Sequence, residues 1–172
     1  MKAWMTVTRA LLVALAFSAP FAAKAQTTAP NSPAPATPGG LVILEFKPAM
    51  DDLMTMLIQP RHLKLYYAGT EKNWKLAQFE VDELRQALAR IGRTIPTYRK
   101  MGVDTTVASI FTERLQAVDA AIKSGDEKKF SVTYKNMTTA CNECHVAMEH
   151  PFIVIKTPAA QSFPNQDFTT KP

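Results

Sequence analysis

The fold is decided by residues 126–148, which read DEKKFSVTYKNMTTACNECHVAM. Apolar and sulfur-bearing side chains recur there at steps of three and four residues, which is the spacing of one helix face. The members of that face are Phe130, Tyr134, Met137, Cys141, Cys144 and Met148. We expect a helix that begins at Asp126 and ends before Pro151, because the residue that precedes a proline disfavours the helical backbone.

Three earlier segments have the same periodicity. The first is expected from about Pro48 to Ala68, with Gly69 as its C-terminal stop. Pro60 lies inside it and removes a backbone donor, so a kink or a short break is predicted there. The apolar face of this segment consists of Leu53, Met54, Leu57, Leu63 and Tyr67.

The second segment is the clearest, with Thr70 as its expected cap and Gly92 as its expected end. Its stripe consists of Trp74, Ala77, Val81, Leu84, Leu88 and Ile91. The third is expected over Asp104–Ser124, with Asp104 as cap and Gly125 as stop. Its stripe consists of Val107, Ile110, Phe111, Val118 and Ile122.

The connections between these segments are short, as they are between antiparallel neighbours in helical bundles. No long stretch alternates like a strand, although residues 41–44 are compatible with a short extended piece. The predicted fold class is therefore all-α, an up-down-up-down four-helix bundle. The apolar stripes are its expected core, and alone they predict only an all-helical domain.

The chemistry lies in Cys141-Asn142-Glu143-Cys144-His145, a C-x-x-C-H pentad. Two thiols three residues apart lie on one face of a helical turn and can add to the two vinyl groups along one haem edge. The histidine that follows can reach the iron from the same side. This spacing is typical of covalent haem attachment, with Cys141 and Cys144 as attachment residues, His145 as proximal ligand and one haem c as cofactor.

Two other interpretations of the cysteines compete with haem. In an exported chain they could form a disulfide or a thiol-redox pair, although such redox motifs usually open a helix, where the dipole lowers the thiol pKa. A structural zinc site needs four ligands. The chain has only two cysteines, and His62 and His150 lack zinc-finger spacing.

The expected domain order begins with a signal peptide over residues 1–25. Lys2 and Arg9 precede a short apolar run, and Ala23-Lys24-Ala25 is a small-x-small cleavage site. An uncleaved membrane anchor is the alternative. A Pro-rich tether over 26–43, the helical domain over 44–150 and an extended tail over 151–172 follow. We expect a periplasmic, exported bacterial protein.

Loss of the signal would remove three basic residues and no acidic one, which lowers the formal charge from +5 to +2. This mild charge does not favour nucleic acid as a partner. No membrane span is expected after cleavage.

The cluster Glu80, Asp82 and Glu83 is interpreted as a solvated face. Because no nucleophile–base set is recognisable, we expect no enzymatic activity.

The haem motif near the end of the last helix resembles that of the class II c-type cytochromes, the cytochrome c′ group, and the likeness covers residues from about 46 to 150. HLKLYYAG (62–69) and NWKLAQFEVDEL (73–84) suggest a variant group. The resemblance implies a four-helix bundle and pairing of copies through the first two helices. Three features depart from the group: Pro60, the tail beyond Pro151, and no obvious basic residue near the haem on the first helix.

The sixth iron ligand is expected from upstream, because Met137, Met148 and His150 are too close to His145 along the chain to cross the haem. His62 would lie toward the wrong end of the bundle. Met54 is the candidate distal ligand, and packing in the core is its alternative role. The remaining candidates at that end are Met50, Met56 and Met101.

Arg93 and Arg99 lie in the loop expected at the haem end and are candidates to pair with a haem propionate. A loop with ordinary solvated charges is the alternative.

The functional hypotheses are a monohaem electron carrier that docks to a periplasmic redox partner, a five-coordinate protein that binds nitric oxide or carbon monoxide, and a non-haem bundle with a disulfide. The tail is expected to act as a strap that covers Phe152, Ile153, Ile155 and Phe163.

Overall fold

The computed structural model describes residues 46–169, so the predicted signal, the tether and the piece at 41–44 lie outside the described residues. The described chain is mostly helical, as predicted. Its helical elements are α1 (Met50–Leu53), a π-helical segment (Met54–Ile58), α2 (Gln59–Thr70), α3 (Trp74–Thr94), α4 (Val103–Ser124) and α5 (Glu127–Ala147). Two short strands, β1 (Thr97–Tyr98) and β2 (Met101–Gly102), lie between α3 and α4.

The first helical segment is interrupted where proline predicted a break. Pro60 lies in the first turn of α2, where its missing N–H costs least. Just before it, the backbone changes to π-helical hydrogen bonding, and the Gln59 N–H donates to the carbonyl of Met54. The segment ends at Thr70, two residues beyond the predicted end.

In α3 and α4, three further predicted ends were wrong. The cap of α3 is Asn73, whose side-chain oxygen accepts from the Leu76 N–H at 3.2 Å, whereas the Thr70 hydroxyl donates back into α2. Helix α3 continues past Gly92 to Thr94. Helix α4 begins at Val103 with Gly102 as its cap, so Asp104 lies in the first turn instead.

The C-terminal ends of the last two helices follow the prediction, and α5 begins at Glu127, one residue after the predicted start. Gly125 terminates α4 in the left-handed conformation, with φ of 64°. Asp126 caps α5 by accepting from the Lys129 N–H at 2.9 Å, and α5 ends at Ala147, before Pro151.

The strands β1 and β2 form a two-residue hairpin that the sequence pattern did not predict. Tyr98 pairs with Met101 and Thr97 with Gly102 in antiparallel register. Arg99 and Lys100 form the turn with positive φ at both positions, as a type I′ turn requires. The pairing is too short to produce a recognisable alternation.

The core lies between α2, α3, α4 and α5. Each of these helices packs against its neighbour along the chain, and α2 also packs against α5. Helices α2 and α5 run antiparallel, because Gly69 lies against Phe130 whereas His62 contacts Thr138. The predicted stripes of α3, α4 and α5 supply most of the buried apolar residues. None of the helices in residues 46–169 is both long and apolar enough to cross a membrane.

Candidate functional site

The two cysteines of the motif lie on the buried face of α5, one turn apart. Both are free thiols, and the Cys141 thiol donates to the carbonyl of Met137 at 3.5 Å. Burial, followed by the proximity of Cys144, raises the pKa of Cys141 to about 12. Burial also raises the pKa of Cys144. A thiol-redox pair requires the opposite shift, so the geometry does not favour that interpretation.

His145 follows on the same turn and is held by the tail. Its Nδ1 donates to the carbonyl of Ile153 at 2.8 Å. A neutral imidazole that donates through Nδ1 carries its lone pair on Nε2. Such a bond is the usual way in which a protein orients a histidine that ligates a metal. The imidazole is thus in the tautomer that a proximal iron ligand needs.

The two variable residues of the pentad also hold neighbouring elements. The Asn142 side chain makes two hydrogen bonds to the backbone of Ile155, donating from Nδ2 at 3.0 Å and accepting at Oδ1 at 2.7 Å. Glu143 pairs with Arg114 of α4 at 2.8 Å. The motif turn is therefore fixed to the tail on one side and to α4 on the other.

The chain reverses direction directly after the motif. Glu149 adopts the left-handed conformation with φ of 62°. The His150 N–H donates to the carbonyl of His145 at 2.7 Å, and the Glu149 N–H to that of Val146 at 3.0 Å. This pair of bonds is the Schellman ending of a helix. It directs the tail back along α5, which brings Ile153 beside His145.

The hairpin lies at the same end of the molecule as the motif, as predicted for the connection between the second and third helices. Arg99 forms an ion pair with Glu149 at 2.8 Å, and the Tyr98 hydroxyl bonds to Nε2 of His150 at 3.2 Å. Both members of the Arg99–Glu149 pair are exposed, so it contributes little stability and is easily exchanged. Arg93 is exposed in the last turn of α3.

Met54, the candidate distal ligand, lies in the π-helical segment and is partly buried against the core. Met50 and Met101 are also partly buried, whereas Met56 is 58% exposed. The antiparallel register of the His62–Thr138 contact directs the segment that contains Met54 toward the motif end of α5. The π-helical segment packs on α3 and α2 rather than closely on α5.

A buried polar network that the sequence pattern did not predict lies between α2 and α5. His62 contacts the Thr138 hydroxyl through Nε2 at 2.9 Å and the Tyr134 hydroxyl through Nδ1 at 3.1 Å. Burial lowers the pKa of His62 to about 4 and raises the pKa of Tyr134. His62, Tyr66 and Gly69 are four and three residues apart, so they lie on one helix face, and this spacing was the sequence feature that could have predicted the network.

The interpretation of Glu80 as part of a solvated acidic face was wrong. Glu80 is 1% exposed, and Arg61 of α2 pairs with it at 3.1 Å. Arg61 also reaches Glu83 at 3.4 Å and lies over the ring of Phe79. Burial raises the pKa of Glu80, while the hydrogen bond from Arg61 opposes that shift. The cluster therefore joins α2 to α3.

The tail covers only part of what was expected. Phe152 and Ile153 are exposed, although Ile155 and Phe163 pack partly against the core and Phe168 is buried. Three apolar side chains close to His145 and Ile153 in the sequence are exposed: Val146, Phe152 and Val154, at 61%, 78% and 64%. Among residues 46–169, no three His, Cys, Asp or Glu side chains lie close enough together to bind a metal ion without a cofactor.

Comparison of the chain with protein-family models, with curated proteins and with solved structures finds no match.

Proposed function

We propose that this chain is a monohaem c-type cytochrome that transfers electrons, with haem attached at Cys141 and Cys144 and the iron ligated by His145. The observation that carries the proposal is the hydrogen bond from Nδ1 of His145 to the carbonyl of Ile153. It leaves Nε2 of the imidazole as the nitrogen able to bind iron, inside a pentad whose spacing is typical of haem attachment.

The state of the thiols supports covalent attachment. Both are free and lie on the same helical face. Each thiol would add across one vinyl double bond: a carbon–sulfur bond forms, the π bond is lost, and the thiol proton passes to the other vinyl carbon. No oxidant is required for that addition, whereas a disulfide between the same residues would need one.

The surroundings of the motif also fit a large apolar group. Val146 follows His145 in the sequence, Phe152 and Val154 flank the Ile153 to which His145 is bonded, and all three are exposed. Exposed apolar side chains gathered in one region often mark a binding site. Bound haem would supply a one-electron iron centre. The chain's own residues would fix its position through the two cysteines and set the donor strength of the imidazole through the tail.

The four helical segments are proposed to form an up-down-up-down bundle like that of the class II cytochromes, with the haem near the end of α5. The contacts of α2 with α3, α3 with α4, α4 with α5, and α5 with α2 support this arrangement.

Export to the periplasm is proposed from the signal pattern of residues 1–25, since attachment to such motifs in bacteria takes place outside the cytoplasm. A transient redox partner would dock near the haem edge.

The decisive experiment is production of the full chain with and without a cytochrome maturation system. The matured protein should stain for haem after denaturing electrophoresis and should gain the mass of one haem. The double variant Cys141→Ser, Cys144→Ser should lose both signals, whereas Met137→Leu, on the same buried face, should keep them. A colourless matured protein without the added mass would refute the proposal.

The distal ligand is proposed to be Met54, because the α2–α5 register directs its segment toward the motif end of α5 and its side chain is partly buried. The oxidised matured protein should then show the near-infrared charge-transfer band of methionine bound to iron. Met54→Ala should abolish that band and allow the reduced protein to bind carbon monoxide. Met56→Ala is the matched control, because Met56 is two residues away and exposed. A wild type that lacks the band and binds carbon monoxide would indicate the five-coordinate alternative.

A further inference from the structure

The tail meets α5 through backbone hydrogen bonds rather than through burial of its side chains. Phe152 and Val154 are largely exposed, and Ile153 is 42% exposed. The bonds from α5 to this region are the Asn142 clamp on Ile155 and the bond from His145 to Ile153, and within the tail the Ile153 N–H donates to the carbonyl of His150 at 3.0 Å. Because little apolar area is buried between residues 152 and 154, the clamp and the His145 bond are what hold this part of the tail against the helix.

The spacing of the two contacts matches between the helix and the tail. Asn142 and His145 are three residues apart, so they lie on one face of α5. Ile153 and Ile155 are two residues apart in a stretch without helical structure, and alternate residues of an extended chain face the same side. The Ile153 carbonyl accepts from His145 and the Ile155 carbonyl accepts from Asn142, as expected if both carbonyls face the same side of α5.

We propose that Asn142 is a positioning residue: by clamping Ile155 it holds the Ile153 carbonyl against His145, and so sets the orientation and donor strength of the imidazole toward iron. This inference rests on the proposed function, because it assigns a role toward the haem iron. The hydrogen bonds of the Asn142 side chain go to the backbone of Ile155 and not to the imidazole, so its role toward His145 is indirect. The clamp consists of two hydrogen bonds that join the side-chain amide of Asn142 to the backbone N–H and C=O of Ile155. Because both bonds end on one residue, they fix the position of Ile155 and, through it, that of the Ile153 carbonyl.

The far part of the tail cannot replace the clamp. Tyr67 donates to the carbonyl of Ala160, Asn73 donates to that of Thr169, and Phe168 is buried against the ring of Tyr67. These anchors hold residues 160–169, at least five residues beyond Ile155. Without Asn142 they would keep the tail attached but would not fix the Ile153 carbonyl at hydrogen-bond distance from His145.

The expected consequence is a change in redox equilibrium. A hydrogen bond donated by Nδ1 makes the imidazole a stronger donor, which favours the oxidised iron. Removing the clamp should therefore raise the reduction potential. We expect the equilibrium constant for reduction to increase about tenfold in Asn142→Ala, which for a one-electron couple corresponds to about 59 mV.

The matched control is Asn136→Ala, since Asn136 is an exposed asparagine on the same helix. It should leave the potential unchanged. Ile155→Pro removes one of the two clamp bonds from the other side, because proline has no N–H to donate to Oδ1 of Asn142, while its carbonyl can still accept from Nδ2. It should raise the potential in the same direction as Asn142→Ala but by less, and the double variant should match Asn142→Ala. Equal potentials for Asn142→Ala and Asn136→Ala would overturn the inference while leaving the haem assignment intact.

A second measurement does not depend on haem. In the full chain produced without maturation, nitrogen NMR at pH 8 should show His145 predominantly in the Nδ1–H tautomer for wild type and Asn136→Ala. The tautomers should be mixed in Asn142→Ala and Ile155→Pro. If these variants keep the wild-type tautomer, Asn142 does not position the imidazole, whether or not the matured protein carries haem.

Discussion

The ring of Phe130 on α5 lies directly against the α-carbon of Gly69 in α2, in space that any Cβ at position 69 would enter. Alanine normally favours a helix over glycine by about 1 kcal/mol. Here we expect Gly69→Ala to destabilise the protein by about 2 kcal/mol, because the overlap forces the ring and the helix apart. Chemical denaturation would measure the loss.

The control for this contact is the double variant Gly69→Ala, Phe130→Leu. The smaller side chain leaves room for the methyl group, so the cost of Gly69→Ala should fall well below 2 kcal/mol when Leu replaces Phe130. A Gly69→Ala protein as stable as wild type would show that the two helices can separate without penalty.

Removal of Arg61 should be costly because it leaves the buried carboxylate of Glu80 without its partner. We expect Arg61→Leu to lower the free energy of unfolding by about 2 kcal/mol, less than for a fully buried pair because the arginine is 31% exposed. The comparison is Arg85→Leu, which breaks the exposed pair with Asp82 and should cost less than about 1 kcal/mol. Equal losses would contradict the burial argument.

The helices could be predicted because their apolar stripes repeat along the sequence, and the core residues of α3, α4 and α5 followed from the same pattern. In α2 the pattern failed in part, because the fully buried Leu65 was not in the predicted stripe, whereas Leu63, which was, is only partly buried. Helix ends were harder, because neighbouring polar residues compete for the cap. Thr70 was a chemically suitable cap for α3, but its hydroxyl donates to the backbone of its own helix, and the cap is Asn73 three residues later. Local chemistry alone does not decide such a competition.

The cysteines and histidine of the site could be predicted from their spacing, whereas their supports could not. The bond from His145 to Ile153 depends on the chain reversal at Glu149, and a glutamate gives no sign of a left-handed position. Burial of Glu80 depends on Arg61, nineteen residues away on another helix. Both are tertiary relationships that have no local pattern in the sequence.

The hairpin turn offers a stabilising substitution. Lys100 has φ of 66°, a conformation that costs a residue with a side chain about 1 kcal/mol and glycine much less. Lys100→Gly should therefore stabilise the protein by about 0.5 kcal/mol, measured as an increase in the denaturant midpoint. Thr97→Gly, in the strand beside the turn, should instead destabilise it, because glycine there only increases the freedom of the unfolded chain. A loss of stability in Lys100→Gly would show that the turn is not strained.

His62 should make the protein less stable as the pH falls. Burial lowers its pKa in the folded state to about 4, against 6.5 for an ordinary histidine. Between these values the unfolded chain binds the proton more readily, so the contribution of His62 is fully present above pH 6.5 and is lost as the pH falls toward 4. From pH 7.5 to pH 5.0 the expected loss is about 2 kcal/mol.

His62→Gln should be less stable at pH 7.5, because Thr138 and Tyr134 lose a good partner, yet its stability should fall by about 2 kcal/mol less over this interval. Tyr134→Phe keeps the buried imidazole and should retain the wild-type pH dependence. If wild type and His62→Gln lose the same free energy between the two pH values, as measured by urea denaturation, then the imidazole of His62 is not held neutral by burial between α2 and α5.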